Sequence, residues 1–555
     1  MSREGMCNIA AHLPEMARSQ PETPAIYCPA GQDPQRRIRY AGQTFRELDQ
    51  ASSRVALGLE QAGLRRGVRT ALMVKPGPEF FALTFALFKI GAVPVMIDPG
   101  MGVRNLKACL AEAAPEAFIG IPKAHAARLL FGWGKASLKI LITVGSRRFW
   151  GGTSLQRLLA EIPADQPYQP AATEGGETAA ILFTSGSTGV PKGAIYTHGN
   201  FMAQVEALQR VYDIRPGEVD LPTFPLFALF APALGMTSVI PDMDFTRPAN
   251  VDPKRIIDAI ERFQVTNMFG SPALLKRVGE YGEAHAVRLP SLKRVISAGA
   301  PVPARVLERF TGLLDPGVEI FTPYGATEAL PVCSIGSREI LEETRAATEQ
   351  GQGVCIGRPV TGIRLAVIQI SDQPIATWSE ALAAAPGRIG EIVVQGPQVT
   401  AAYQNRPDLT ALAKIRDAET GGFWHRMGDL GYRDTQGRIW FCGRKNHRVV
   451  MADATLYTIP CEAIFNTHPQ VSRSALVGVG EPGRQRPVLC VEPEPAARRA
   501  AHNLLRQDLL AIGSRHEITR PVRDILFHPG FPVDIRHNAK IFREKLAVWA
   551  ERELP

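Results

Sequence analysis

The sequence predicts an α/β protein built from a large N-terminal unit of α/β layers with a small β-barrel, followed by a smaller α+β C-terminal unit. Three observations carry that prediction. Short β-branched runs alternate with amphipathic helical stretches through the first 440 residues, the rhythm of layers around a parallel sheet. Residues 388–442 change character, to short strands joined by Gly-rich turns that suit an antiparallel barrel or meander. A polar junction, Gly443-Arg444-Lys445-Asn446-His447, then separates this region from a shorter series of elements. A length of 555 residues is also enough for two or more packed units.

In order, Thr70–Val74 reads as a strand, Glu79–Ile90 as a helix, Val93–Asp98 as a strand and Leu106–Glu112 as a helix. Ala180–Phe183 is an apolar run that reads as a strand. In the barrel region the strand candidates are Arg388–Gln395, Gly431–Arg433 and Ile439–Cys442. After the junction come a helix near Cys461–Asn466, a hairpin around Val471–Val491, a helix near Ala496–Ile512 and a last helix from Ile541. The spacing places the boundary close to Asn446, giving units of 1–445 and 446–555. No internal repeat is evident.

Composition narrows the functional classes. The chain is 45% hydrophobic and 21% charged, values of a soluble globular protein. Gly and Pro number 94 together but follow no period, which excludes collagen-like and low-complexity readings. The most apolar stretch, Phe80 to Ile97, is broken by Lys89, Gly91 and Pro94, and a spanning helix needs about 20 apolar residues. The N-terminus lacks a basic region followed by an apolar run, so no signal peptide is expected. Eight scattered cysteines without a CxxC argue against a disulfide framework or a zinc knuckle, and a reducing cytoplasm is the expected location. The net charge is +9, and residues 443–555 hold 17 Lys/Arg against 12 Asp/Glu. No long basic block occurs, so nucleic acid is not an expected partner. A basic unit facing a polyanionic small ligand fits as well.

The strongest motif is Thr184-Ser185-Gly186-Ser187-Thr188-Gly189-Val190-Pro191-Lys192-Gly193. Four hydroxyls, three glycines and a lysine in ten residues form a polyanion cradle. Glycines let backbone N–H groups turn toward phosphate oxygens, hydroxyls donate further bonds and lysine supplies charge. It is not a P-loop, because Pro191 precedes Lys192 and Gly193 follows it, and it lacks the GxSxG of a nucleophile elbow. Gly478-Val479-Gly480-Glu481-Pro482-Gly483 matches GxGxxG literally. It contains a proline and leads into another strand, so it reads as a hairpin turn and not as a dinucleotide fingerprint.

The hydroxyl- and glycine-rich loop resembles the phosphate loop of the adenylate-forming superfamily, which includes acyl-CoA synthetases, adenylation domains and luciferases. That resemblance implies attack of a carboxylate on ATP to give acyl-AMP and pyrophosphate. It assigns nucleotide contacts to Thr184, Ser185, Gly186, Ser187, Thr188, Gly189 and Lys192. Ser297-Ala298-Gly299-Ala300-Pro301 resembles the family's adenine loop, implying roles for Gly299, Ala300 and Pro301. Tyr324-Gly325-Ala326-Thr327-Glu328 resembles its next motif, with Tyr324 stacking on adenine and Gly325 and Thr327 beside it. Asp429, after Gly428, matches the ribose-binding aspartate, Arg444 the arginine that follows it, Asn446 the hinge, and Lys540 the lysine of the last motif. The chemistry agrees with these roles. One carboxylate, Glu328, with the Thr188 hydroxyl suits a magnesium ion that keeps several waters. Asp429 can accept two neighbouring ribose hydroxyls. Lys540 can neutralise charge developing at the α-phosphate.

Within the superfamily, the chain is most similar to the branch that forms β-lactones in olefin biosynthesis. The likeness runs from Asn8 onward and includes Leu221-Pro222-Thr223-Phe224-Pro225, Phe441-Cys442-Gly443-Arg444-Lys445 and Phe531 through Lys540. It implies a 2-alkyl-3-hydroxyalkanoic acid as substrate, ATP and Mg²⁺ as cofactors, and other olefin-pathway enzymes as partners. The alternative is a long-chain fatty acyl-CoA ligase. Counting back from Glu462, the position of the glycine that acyl-CoA synthetases use at the thioester site falls on a non-glycine residue of the run Val450-Met451-Ala452-Asp453-Ala454-Thr455, which speaks against CoA chemistry. Phe224, Phe227 and Phe230, spaced by three without intervening charge, suit either a core helix or the wall of an alkyl pocket. His198 and His425 are the candidates for the base that takes the β-hydroxyl proton.

Overall fold

In the computed structural model, which describes residues 7–146, 149–184, 191–495, 502–534 and 540–554, the βαβα rhythm becomes two sheets of seven strands. The first runs in the order Thr153–Ser154, Ile140–Thr143, Ala117–Gly120, Arg69–Met73, Val93–Met96, Thr178–Thr184, Lys192–Thr197. It is parallel up to its last pair, where the chain doubles back through the phosphate-loop motif. The second runs Glu319–Phe321, Arg294–Ile296, Asn267–Phe269, Val219–Pro222, Thr237–Val239, Pro24–Gln32, Ile38–Thr44, again parallel except at that last edge. Strands covered on both faces must be apolar throughout, and Val93–Met96 and Ala117–Gly120 are buried at every position.

The helix Pro78–Ile90 explains part of that covering. Eleven of its thirteen residues are buried, so it is apolar all round and not on one stripe. Pro78 opens it, and Gly91, at φ +75°, closes it in the left-handed conformation that a β-carbon disfavours. Its one buried charge is satisfied: Lys89 Nζ donates to Asp49 O, Asp49 Oδ1, Ser52 Oγ and Ser53 Oγ at 2.7–2.9 Å. Those acceptors lie on the helix Phe45–Gln61, which starts with a Thr44/Glu47 capping box.

A six-stranded antiparallel sheet occupies the barrel region, ordered Val354–Cys355, Ile439–Arg444, Phe423–Arg433, Gly390–Gln395, Arg364–Ile368, with Lys414–Arg416 paired to Phe423–Arg433. The expected Gly431–Arg433 strand is only the end of an eleven-residue one. Beyond the short turn Lys445–His447 lies a smaller unit with its own apolar clusters. It holds the helix Thr458–Phe465, the hairpin Val471–Val479 with Arg486–Pro493, the helix His502–Ser514 and the strand Asp524–Phe527. The GxGxxG segment is the hairpin turn there, and Gly483 N donates to Val450 O at 2.9 Å. The last helix starts at Arg543, not at Ile541. Ile541 still bridges Val533 in extended conformation, and Phe542 N donates to Pro532 O, so these residues cannot begin a helix.

Candidate active site

Loops that leave the carboxyl ends of parallel strands converge on one crevice, the place where open α/β sheets bind ligands. From the second sheet come residues 297–303 after Arg294–Ile296, residues 322–328 after Glu319–Phe321, and Thr223 after Val219–Pro222. From the first come Ile97 and Asp98 after Val93–Met96. These line a cavity of about 2770 Å³ shared with the small unit, which contributes His447, Glu462, Lys540 and Arg543.

Each motif residue has a local reason for its position. Gly299 sits at φ +102°, which lets the 297–303 loop turn over the strand ends. A β-carbon at Gly325 would lie 2.6 Å from Ala329 O, so only glycine allows residues 324–326 to pair with 329–334. Asp429 and Arg444 are cross-strand partners between Phe423–Arg433 and Ile439–Arg444. This register brings Arg444 Nη1 to 2.9 Å from Asp429 Oδ1, while Tyr324 Oη donates to Asp429 Oδ2 at 2.6 Å. Tyr324, Asp429 and Arg444, distant in sequence, therefore form one bonded group. Burial, with the Asp429 carboxylate beside it, holds the Tyr324 phenol well above its ordinary range and keeps it a donor. Each Asp429 oxygen keeps a further lone pair that can accept another hydrogen bond.

Glu328 marks the second part of the site. Tyr403 Oη donates to Glu328 Oε1 at 2.6 Å, and Thr400 N donates to Glu328 O at 2.9 Å. Lys192 Nζ lies 5.3 Å from the centroid of the Tyr403 ring, a cation–π distance. Sequence reasoning missed Tyr403, because its role depends on contacts between segments far apart in the chain. It missed Lys414 for the same reason. Lys414 donates to Thr400 O, sits opposite His425 in the sheet, and burial pulls its ammonium down to about 7. Among the described residues no group of three or more His, Cys, Asp or Glu gathers to cage a metal. A lone carboxylate with one oxygen unengaged by described side chains fits only an ion that keeps water and phosphate oxygens, as magnesium does.

The two candidate histidines part company. His425 lines the cavity, and burial together with Lys414, Lys192 and Arg444 holds its imidazole neutral. His198 does not belong to the site, which corrects the expectation for it. It is fully buried as the first residue of the helix His198–Tyr212, its Nδ1 accepts from Ile9 N at 3.2 Å, and burial pushes it down to about 4. Phe224, Phe227 and Phe230 all face the cavity. They span two one-turn helices, Pro225–Ala228 and Phe230–Ala233, in place of one core helix. Phe227 packs at 5.2 Å from Phe224 and 4.4 Å from Phe269, making an aromatic wall.

Ser185, Gly186, Ser187, Thr188, Gly189 and the Thr184 side chain lie outside the described residues, as do residues 535–539. Lys192, Gly299, Ala300, Pro301, Tyr324, Gly325, Thr327, Glu328, Asp429, Arg444, Asn446 and Lys540 all line the cavity. Lys540 is anchored by its backbone: Lys540 N donates to Asp534 Oδ1 and Asp534 N to Lys540 O, both at 3.0 Å. Asp453 is not in the cavity. It sits exposed on the turn between Val449–Val450 and Thr455–Leu456.

A family model described as "AMP-binding enzyme" matches residues 13–404. The chain is 51% identical over 552 residues to an olefin beta-lactone synthetase of Xanthomonas campestris pv. campestris, covering 99% of this chain and 98% of the relative. It is 52% identical over 553 residues to a protein of the same name from Stenotrophomonas maltophilia, covering 99% of both. Among solved structures, an amide bond synthetase from Marinactinospora thermotolerans superposes with a TM-score of 0.79 at 22% identity, over 98% of this chain and 99% of that one.

Proposed function

The chain belongs to the family of AMP-binding, adenylate-forming enzymes, and on that premise we propose that it converts a 2-alkyl-3-hydroxyalkanoic acid into a β-lactone at the expense of ATP. The observation that carries the reading is the 51–52% identity to olefin beta-lactone synthetases along essentially the whole chain.

The reaction has two steps. The substrate carboxylate attacks the α-phosphorus of ATP, a new O–P bond forms and pyrophosphate leaves. The β-hydroxyl oxygen then attacks the acyl-AMP carbonyl, loses its proton, and AMP departs as the four-membered ring closes. In the first step Asp429, fixed by Tyr324 and Arg444, receives the ribose hydroxyls, and the 297–303 loop and Tyr324 receive adenine. Lys192 faces the phosphates and Lys540 meets the charge that builds at the α-phosphate. Glu328 and Thr188 would hold magnesium, which supplies charge neutralisation between triphosphate and carboxylate. In the second step the wall of Phe224, Phe227 and Phe230 holds the alkyl part and keeps water from the mixed anhydride. Contact between hydroxyl and carbonyl within one bound molecule lets ring closure outrun hydrolysis. Residues 446–555 act as a lid that turns about Asn446, carrying Lys540 to and from the nucleotide.

The test compares a 2-alkyl-3-hydroxy acid with the same acid lacking the hydroxyl, with and without CoA, by mass spectrometry. The hydroxy acid is expected to give lactone and AMP without CoA, and the deoxy acid to stop at bound acyl-AMP. Acyl-CoA formed from both acids at similar rates would overturn the reading and restore a ligase. A second expectation concerns Glu328→Gln. Pyrophosphate release should fall at low magnesium and recover in part as magnesium rises. An equal loss at every magnesium concentration would remove Glu328 from metal binding.

A further inference from the structure

Charge and exposed apolar surface are unevenly distributed, and both concentrate in one segment. Residues 99–150 contain eight Lys/Arg (Arg104, Lys107, Lys123, Arg128, Lys135, Lys139, Arg147 and Arg148) and only two acids, Glu112 and Glu116. The segment thus carries +6 of the chain's net +9 in under a tenth of its length. Both acids are engaged: Glu112 accepts from Gly193 N and pairs with Arg406 at 3.6 Å, and Glu116 pairs with Lys139 at 3.3 Å and Arg69 at 3.8 Å. Of the nine large apolar side chains exposed among the described residues, five lie in the same segment: Val103, Leu129, Leu130, Phe131 and Phe149. Leu130 and Phe149 are 77% and 82% exposed.

The described residues among these share one region of the fold. Helices Val103–Ala113 and Pro122–Phe131 meet in a cluster holding Leu106 and Trp133, with Ala124 and Ala127 packed on it. The Phe131 ring stacks near Trp133 at 5.8 Å. Phe149 is tied to the same helix, because Trp150 stacks on His125 at 5.6 Å and its carbonyl accepts from Arg128 at 3.3 Å. Along the helix, Lys123 and Ala127 face the active-site cavity, and Leu130 and Phe131 continue that face by three- and four-residue steps. Leu130 and Phe131 therefore continue the helix face that lines the cavity.

We propose that this face docks the protein on the surface of an anionic lipid bilayer, with Leu130, Phe131 and Phe149 entering the interface and the surrounding cations meeting lipid phosphates. Exposed aromatic and leucine side chains ringed by Lys/Arg are the arrangement that binds the headgroup boundary without spanning it. A cytosol-facing protein partner would demand paired acidic groups for this cation excess, whereas an anionic bilayer supplies them at any orientation. Docking would bring the helix that lines the cavity to the phase in which a two-chain acid dissolves. Only this last point rests on the substrate proposed above; the docking itself does not.

The experiment measures co-flotation of the full-length protein with vesicles of phosphatidylcholine alone and of phosphatidylcholine with phosphatidylglycerol, in the absence of substrate. Binding is expected to anionic vesicles, at least about tenfold weaker to neutral ones, and diminished by salt. The double variant Leu130→Ser/Phe149→Ser removes only exposed side chains. It should keep its melting temperature and its pyrophosphate release with a short, water-soluble acid, yet lose about tenfold in vesicle binding. Equal binding to both vesicle types, binding to neither, or an unaltered double variant would overturn the proposal. So would self-association or protein capture through this face without vesicle binding. Because no substrate enters the flotation assay, its failure is separate from a failure of the lactone reading.

Discussion

Lys540→Ala is expected to lower pyrophosphate release by about 10²–10³-fold while leaving ATP binding nearly intact, the usual cost of removing one preorganised group that meets charge only in the transition state. The structural ground is the anchoring of the Lys540 backbone to Asp534, which sets the position of Lys540 beside the cavity that also contains Glu328 and Asp429. On the proposed reading, nucleotide affinity in the ground state comes from residues of the large unit, so binding and chemistry should separate. Stopped-flow nucleotide binding and a coupled pyrophosphate assay measure the two terms independently. Release within a factor of three of the unaltered enzyme would remove Lys540 from the first step. Loss of binding and chemistry in proportion would make it a ground-state contact.

The second large effect is on stability. Glu391→Gln is expected to destabilise the barrel region by about 3–5 kcal/mol, because it strands two buried cations. Glu391 is 1% exposed; its carboxylate holds Arg426 at 2.6 Å and Lys445 at 3.2 Å. Arg426 also donates to Gln373 O at 2.8 Å and Lys445 to Ser371 O at 2.7 Å, so neither cation can swing to water without breaking further bonds. Burial already lowers the Lys445 ammonium, and an unpaired lysine there would fall further and lose its charge. Urea unfolding followed by tryptophan fluorescence is a suitable probe, because Trp424 and Trp440 lie in this sheet. Lys445 is next to Asn446, so turnover should fall with stability. A midpoint unchanged by Glu391→Gln would show that the triad contributes no net stability.

Much of the fold was legible because its signals are local. The alternation of apolar strands and helices, with Pro78 opening and Gly91 closing a helix, is written in neighbouring residues. The GxGxxG turn could be told from a nucleotide fingerprint because Pro482 and the following strand are adjacent to it. Misjudged boundaries have tertiary causes. The start of the last helix is delayed by the Val533–Ile541 bridge, and the three phenylalanines divide between two short helices.

For the site, the sequence by itself determined which residue types are present and in what order: a hydroxyl- and glycine-rich loop, Glu328, Asp429, Arg444 and Lys540. Tertiary structure alone decided their relations. Strand register set Asp429 against Arg444, and the convergence of strand ends brought Tyr324 to the same carboxylate. Tyr403 reached Glu328 from 75 residues away, and His198 and His425, indistinguishable as letters, went to the core and to the cavity wall. The physical reason is that periodicity and turn chemistry act over a few residues, whereas burial and pairing depend on which segments the sheets bring into contact.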